Sequence, residues 1–327
     1  MHSHGEASVP SHEFVHQAMI YGSDEEFMDV ALPFVEEGLD TKEPTLVAVD
    51  DRHIENLRAA LGGTPDGLTI HPVADWYETS ARTREKFASW ASERSAGGCG
   101  ARLMGEPPWP VGNEARVRDW ARHEAVINVA FASLPVTCMC PYDATALPEE
   151  VLGHARATHP EIVRGGRSSP SDSYVNPLDF CGRLDSTVQA QRRPPSMELQ
   201  YELEDLPAVR RLIGSFALDA GMTGSRTEEI VLAANEIATN AVIHGRPPTT
   251  LRAWRSDGEI IVDVTDAGDG IRDALAGQLP PPADSLGGRG LWLTRLLCEA
   301  VEVCNAGGCT VTMRATATSG DRPLTTA

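Results

Sequence analysis

Asn235-Glu236-Ile237-Ala238-Thr239-Asn240-Ala241-Val242-Ile243-His244-Gly245 governs the reading of the C-terminal half of this chain. Helix-compatible residues run from 228 to 244, Gly245 closes them, and Pro247-Pro248 bars continuation. Glu236 and Asn240 are four apart and share a face, with His244 one turn further on. Ile230, Ala234, Ile237 and Ala241 share the other face and predict packing on a sheet. A carboxylate and a carboxamide one turn apart supply a proton acceptor and an oxygen ligand for Mg²⁺, a hard cation that takes few protein ligands alongside phosphate oxygens. Taken alone, the same stripe is more often simply an exposed polar face.

Downstream, residues 249–254 and 259–266 read as antiparallel strands joined at Asp257-Gly258. The second runs into Asp266-Ala267-Gly268-Asp269-Gly270. Asp266 only accepts hydrogen bonds, while Gly268 and Gly270 let the backbone turn sharply and a flat ligand come close, which suits an adenine amino group. An ordinary loop of turn formers has the same composition. Gly287-Gly288-Arg289-Gly290 then leads into Leu291-Trp292-Leu293, and glycines ahead of a helix expose backbone N–H groups at the positive end of its dipole, an anion site. A strand at 197–203, helices at 206–220 and 291–300, and strands at 301–304 and 309–314 complete an α+β domain over 197–316, with 317–327 expected to be a disordered tail.

Toward the N-terminus the texture differs. Residues 24–160 alternate amphipathic stretches with short Val, Leu and Ile runs, as doubly wound α/β layers do. Strands are expected at 45–49, 68–73, 101–104 and 135–140, and helices at 24–39, 54–61, 75–96 and 114–133, with a last helix ending near His159-Pro160. Asp50 or Asp51 is the expected cap of the second helix and Gly62-Gly63 its stop. From 164 to 196 the periodicity gives way to Gly, Ser, Pro and Arg, so 166–196 reads as a linker after an N-terminal domain over 12–165. His16, His123, Cys138, Cys140 and His159 are candidates for a metal or oxidant-responsive site at the strand ends. Their spacing is not that of a zinc finger, and a packed pair of thiols with hydrogen-bonded histidines has the same composition.

Composition narrows the function. The 327 residues carry a formal charge of −19, which repels phosphate backbones and anionic lipid, so neither direct nucleic-acid binding nor membrane binding is expected. Lys42 and Lys86 are the only lysines and neither follows a glycine, which excludes a Walker A loop. With no secretory leader or spanning segment legible, a cytoplasmic location is expected. Seven thinly scattered cysteines, an odd number, predict reduced thiols rather than a disulfide framework.

The order of motifs (helix with Glu and Asn, strand with Asp-x-Gly-x-Gly, variable loop, Gly-x-Gly before a helix) resembles the GHKL ATP-binding superfamily over residues 197–315. Within it, Asn235 to Gly245 and a short, proline-bearing lid at 271–286 are similar to the serine-kinase anti-sigma factors of bacterial partner-switching systems. The resemblance implies a Bergerat-type α+β sandwich that binds ATP and Mg²⁺. It assigns Asn240 to Mg²⁺, Glu236 as base toward a serine hydroxyl or water, and Asp266 as acceptor from adenine N6. Gly268 and Gly270 would border the adenine, and Gly288, Arg289 and Gly290 would contact phosphates. Relatives place a Thr after the Gly-Gly pair to support the adenine-binding Asp. Here Cys309 stands there and Thr310 follows, so Thr310 is the residue expected to contribute. The implied partners are an alternative sigma factor and a STAS-type antagonist phosphorylated on serine, and such modules often form homodimers. Residues 164–196 contain no His, which argues against autophosphorylation on histidine. A non-catalytic ATP-dependent binding switch and a sensor kinase with another protein acceptor are the alternatives.

The N-terminal half resembles the MEDS sensory family through His16 and Tyr21, Pro33-Phe34 with Gly38-Leu39, Glu124, Cys140-Pro141-Tyr142-Asp143 and Thr158-His159-Pro160. That resemblance implies sensing of a small ligand and modulation of the C-terminal domain.

Overall fold

A computed structural model describes residues 13–95, 100–188, 193–256, 258–282, 284 and 287–316. The expected tail at 317–327, Cys99, Asp257 and Ser285-Leu286 of the expected lid lie outside the described residues. The chain divides into two compact units. One comprises Met1–Trp76, Glu85–Pro108 and Ile127–Tyr174, the other Tyr77–Arg84, Trp109–Val126 and Val175–Ala327.

The first unit is built on β1 (Val15–Tyr21), β2 (Thr45–Val49), β3 (Leu68–Pro72), β4 (Ala101–Gly105), β5 (Val136–Asp143), β6 (Glu161–Arg164) and β7 (Arg167–Pro170). Their order is β3-β2-β4-β5-β1-β6-β7, parallel throughout except for the β6–β7 hairpin. Strand β1, Val-His-Gln-Ala-Met-Ile-Tyr, escapes sequence reading because His16 and Gln17 interrupt its apolar run. Helices α1 (Asp24–Thr41) and α2 (Asp51–Leu61) bury Phe27, Val30, Phe34, Ile54 and Leu57 against Met19, Tyr21, Val47, Val49, Met104 and Met139 on one sheet face. Asp50 caps α2 by accepting from the His53 N–H at 2.7 Å, and Gly62 ends it at φ 71°. The helix expected over 75–96 is broken into α3 (Val73–Trp76) and α4 (Ser80–Arg94). Thr79 Oγ1 accepts from the Arg82 N–H at 3.2 Å, so a threonine that can cap a new first turn interrupts the run. Helices α5 (Glu114–Ala130) and α6 (Glu149–Thr158) follow, and α4 and α5 each pass from one unit into the other.

The segment expected to be a linker contains β7 and α7 (Pro177–Thr187). Asn176 caps α7, Pro177 starts it, and Pro177, Phe180, Cys181 and Leu184 bury one stripe. This short helical period is masked in the sequence by the serines and prolines around it.

The second unit contains an antiparallel sheet of β8 (Met197–Tyr201), β9 (Thr249–Ser256), β10 (Glu259–Asp266), β11 (Ala300–Cys304) and β12 (Cys309–Thr316), in the order β11-β12-β10-β9-β8. Helices α8 (Leu206–Asp219), α9 (Gly224–His244) and α10 (Arg289–Leu297) cover one face. There Val209, Ile213, Ile230, Ala234, Ile237 and Ala241 meet Leu251, Ile260, Val262, Val264 and Val311, and each large aliphatic side chain so buried contributes about 1.5–3 kcal/mol. The other face is polar. Arg118 of α5 donates to Glu302 at 2.8 Å, Asn113 to Glu259 at 3.1 Å, and Asp119 accepts from the Val301 N–H at 3.4 Å.

One ion-pair network ties the start of α9 to the end of α10. Arg226, with 4% of its side chain exposed, donates to Glu299 at 2.9 and 3.0 Å, to Glu229 at 2.8 Å and to the Leu297 carbonyl at 2.7 Å. Removing one partner of a buried pair leaves the other charge uncompensated. Glu299→Ala should therefore cost about 3–5 kcal/mol, read as a lowered urea midpoint of the full chain, whereas Arg226→Met combined with Glu299→Leu should cost distinctly less.

Candidate functional site

Helix α9, strand β10 and the start of α10 converge on a cavity of about 540 Å³ whose walls include Asn240, Asp266, Gly268, Gly270, Gly288 and Gly290. Asp266 ends β10 and is 6% exposed. Its Oδ1 accepts from the Gly268 N–H at 2.7 Å and more weakly from the Arg246 N–H at 3.4 Å. The chain closes on this carboxylate so tightly that a Cβ at Gly268 would lie 2.6 Å from Oδ1, and one at Gly245 would collide with the carboxyl group itself. Glycine at these positions is thus a steric requirement of burying Asp266.

Opposite lies the N-terminus of α10. Its cap is Gly288, at φ 83°, which offers no side chain to the first-turn N–H groups, so the positive end of the helix borders the cavity. A Cβ on Gly290 would stand 2.7 Å from Glu236 Oε2 and 3.3 Å from Asn240 Nδ2. Close approach of α10 to α9 therefore sets these two half-buried side chains against the glycine turn. Glu236 adjoins the cavity without lining it, and Arg289 is exposed outside the lining.

Two supports had no signal in the sequence. Asn305, in the β11–β12 turn, grips the backbone after Gly270 from both sides, accepting from the Ile271 N–H at 3.1 Å and donating to the Ile271 carbonyl at 2.9 Å. Arginines hold the segment ahead of α10 by its carbonyls. Arg84 donates to Gln278 at 2.6 Å, Arg295 to Ala276 at 3.3 Å and Arg122 to Ala274 at 3.5 Å. Burial lowers the Arg295 pKa to about 10.

Thr310 departs from expectation. Cys309 and Val311 point to the helix-covered face and line the cavity, so by strand alternation Thr310 points to the other face, where its hydroxyl meets that of Thr265 at 3.0 Å. The residue beside the acid is Cys309, directly opposite Asp266 in the ladder. Burial, then the Asp266 charge, push its thiol up to about 11.

Two family models match the chain. The MEDS model, described as the methanogen/methylotroph, DcmR sensory domain, matches residues 15–160, and that of the histidine kinase-like ATPase domain matches residues 199–315. The chain joins a MEDS domain to a histidine kinase-like ATPase domain. Among curated proteins none matches. The RsbU and RsbW domains of Rv1364c from Mycobacterium tuberculosis align at 20% identity and a TM-score of 0.29, covering 43% of this chain and 41% of that one. The mycobacterial sensor histidine kinase MprB aligns at 15% identity and a TM-score of 0.26, covering 37% of this chain and 97% of that one. No helix among the described residues is long and apolar enough to cross a membrane.

Within the MEDS domain the candidate His and Cys residues separate into groups. His16, Cys140 and His159 come together, with ligand atoms within 4.8 Å of one another. Cys138 is buried two residues before Cys140 on β5 and belongs to no such group among the described residues. His123 lies elsewhere, 2.7 Å from the Ser80 carbonyl and edge-on to Trp120. Glu124 is buried one turn before Asn128 on the same face of α5. At the C-terminal ends of the parallel strands a cluster absent from the sequence reading appears. Tyr21 donates to Glu106 at 2.6 Å, and His53, stacked on Phe27, places Nδ1 3.3 Å from both Glu106 and Asp50.

The raised Cys309 pKa keeps the thiol protonated at pH 8, where its thiolate fraction is about 100-fold below that of a cysteine at the ordinary value of 9.0. Peptide-resolved iodoacetamide labelling should spare Cys309 in the native chain and modify it in urea. Asp266→Asn should speed native labelling by removing the neighbouring negative charge.

Proposed function

We propose that the histidine kinase-like domain binds Mg·ATP and that the protein is a partner-switching regulator, capturing an alternative sigma factor and phosphorylating a serine on a STAS-type antagonist under control of the MEDS domain. The observation that carries the nucleotide reading is the buried Asp266, cradled by glycine and opening on the same cavity as Asn240 and the N-terminus of α10. With Oδ1 engaged by the Gly268 N–H, the other carboxylate oxygen is the acceptor for adenine N6. The glycine-lined wall admits a flat base, the helix N-terminus suits phosphate oxygens, and a cavity of about 540 Å³ falls within the roughly 300–1,000 Å³ of small-ligand sites. Asn240 would hold Mg²⁺ through its carboxamide oxygen, and bound Mg²⁺ would neutralise phosphate charge. Glu236, one turn away, would take the proton of the attacking serine hydroxyl. The sigma factor and antagonist follow from the resemblance of residues 235–245 and the short lid to serine-kinase anti-sigma factors.

A second reading, an ATP-dependent binding switch without phosphate transfer, is favoured by one observation: Glu236 adjoins the cavity but does not line it. Calorimetry with Mg·ATP on the full chain should give one site, weakened about 10–100-fold in Asp266→Asn, the magnitude of a lost charge-assisted hydrogen bond. Labelled ATP with a STAS-type antagonist should transfer label to serine, with Glu236→Ala lowering transfer by about 10²-fold or more while leaving the heat of binding in place. Absence of heat removes the whole reading, whereas heat without label in the wild type selects the switch.

A further inference from the structure

The MEDS domain holds a cluster that nucleotide binding does not use. His16 lies on β1, Cys140 on the adjacent β5, and His159 caps α6, with exposures of 2%, 3% and 0%. Their hydrogen bonds fix the tautomers. Asn128 Nδ2 donates to the Thr158 carbonyl at 2.8 Å, which orients the amide so that its Oδ1, 3.1 Å from His16 Nδ1, is an acceptor. His16 Nδ1 therefore carries the proton and Nε2 holds the lone pair, 3.5 Å from Cys140 Sγ. His159 Nδ1 donates to the Ala155 carbonyl at 2.8 Å, so its Nε2 also holds a lone pair. A ring nitrogen tied to a carbonyl or amide oxygen while its partner faces a ligand position is how metal-binding histidines are oriented.

We propose that His16, Cys140 and His159 bind one soft divalent transition ion, Zn²⁺, in the MEDS domain. A tetrahedral ion with bonds of about 2.0–2.1 Å to nitrogen and about 2.3 Å to sulfur sets the N···S edge at about 3.5–3.6 Å. The His16 Nε2···Cys140 Sγ separation is 3.5 Å. Two imidazoles and a thiol select zinc over Mg²⁺ or Ca²⁺, which prefer oxygen. The ring of Phe14 stacks on His16, that of Phe131 meets Phe14 edge-on, and that of Tyr142 meets His159 edge-on, so aromatic side chains pack beside the two imidazoles. As the S–Zn bond forms, the Cys140 thiol loses its proton to solvent, and no redox change is involved.

The site is tested on the reduced, chelator-stripped full chain titrated with Co²⁺, with circular dichroism as the folding control. One equivalent should raise a thiolate-to-cobalt charge-transfer band that Zn²⁺ abolishes. Cys140→Ser should lack the band and Cys138→Ser should keep it. Asn128→Ala, which frees the His16 ring, should weaken Zn²⁺ binding about 10–100-fold. The N-terminal His2 and His4 cannot imitate the signal, because imidazole gives no thiolate band. A folded wild type that raises no band, or a band that survives in Cys140→Ser, overturns the proposal, and neither result bears on nucleotide binding.

Discussion

A carboxylate buried where three stretches of backbone meet is the constraint on which the ATPase-like domain depends. Asp266 occupies the end of β10 only because residues 245 and 268 have no side chain. That pocket fixes the exit of α9 at Gly245, the path of the chain after β10, and the face of β12 that looks into the cavity. The same tightness recurs at Gly290, where α10 approaches α9 closely enough to touch Glu236 and Asn240. Backbone therefore supplies the shape of the site, and few side chains are left to supply its chemistry.

Acids dominate the composition, yet the interior of the second unit is organised by arginine. Arg226 gathers Glu229, Glu299 and two backbone carbonyls, while Arg84, Arg122 and Arg295 hold the carbonyls ahead of α10. A guanidinium presents five donors in a fixed plane, which suits it to several carbonyl and carboxylate acceptors at once. With Lys42 and Lys86 the only lysines, nearly all the buried positive charge is of this kind.

Much of this was legible in the sequence. The helices and strands from Met197 onward fall within a few residues of where periodicity, caps and glycines put them, and Asn240, Asp266, Gly268, Gly270, Gly288 and Gly290 line one cavity. These are local signals, written in residues next to one another. What failed was non-local. Thr310 is one residue from Cys309, but strand alternation sends it to the opposite face. Asn305 looks like any turn former until the loop it clamps is folded against it. Strand β1 and helix α7 were hidden because their buried positions include His16 and Cys181 among polar neighbours, so hydrophobic period alone could not mark them.

Helices α4 and α5 begin in one compact unit and end in the other. Arg82 of α4 donates to the Leu296 carbonyl in the last turn of α10, while Arg84 of α4 and Asn113 to Arg122 around α5 supply donors and acceptors to the segment preceding α10 and to the polar sheet face. A gene fragment that encoded only residues 197–316 would deliver the sheet stripped of its polar covering.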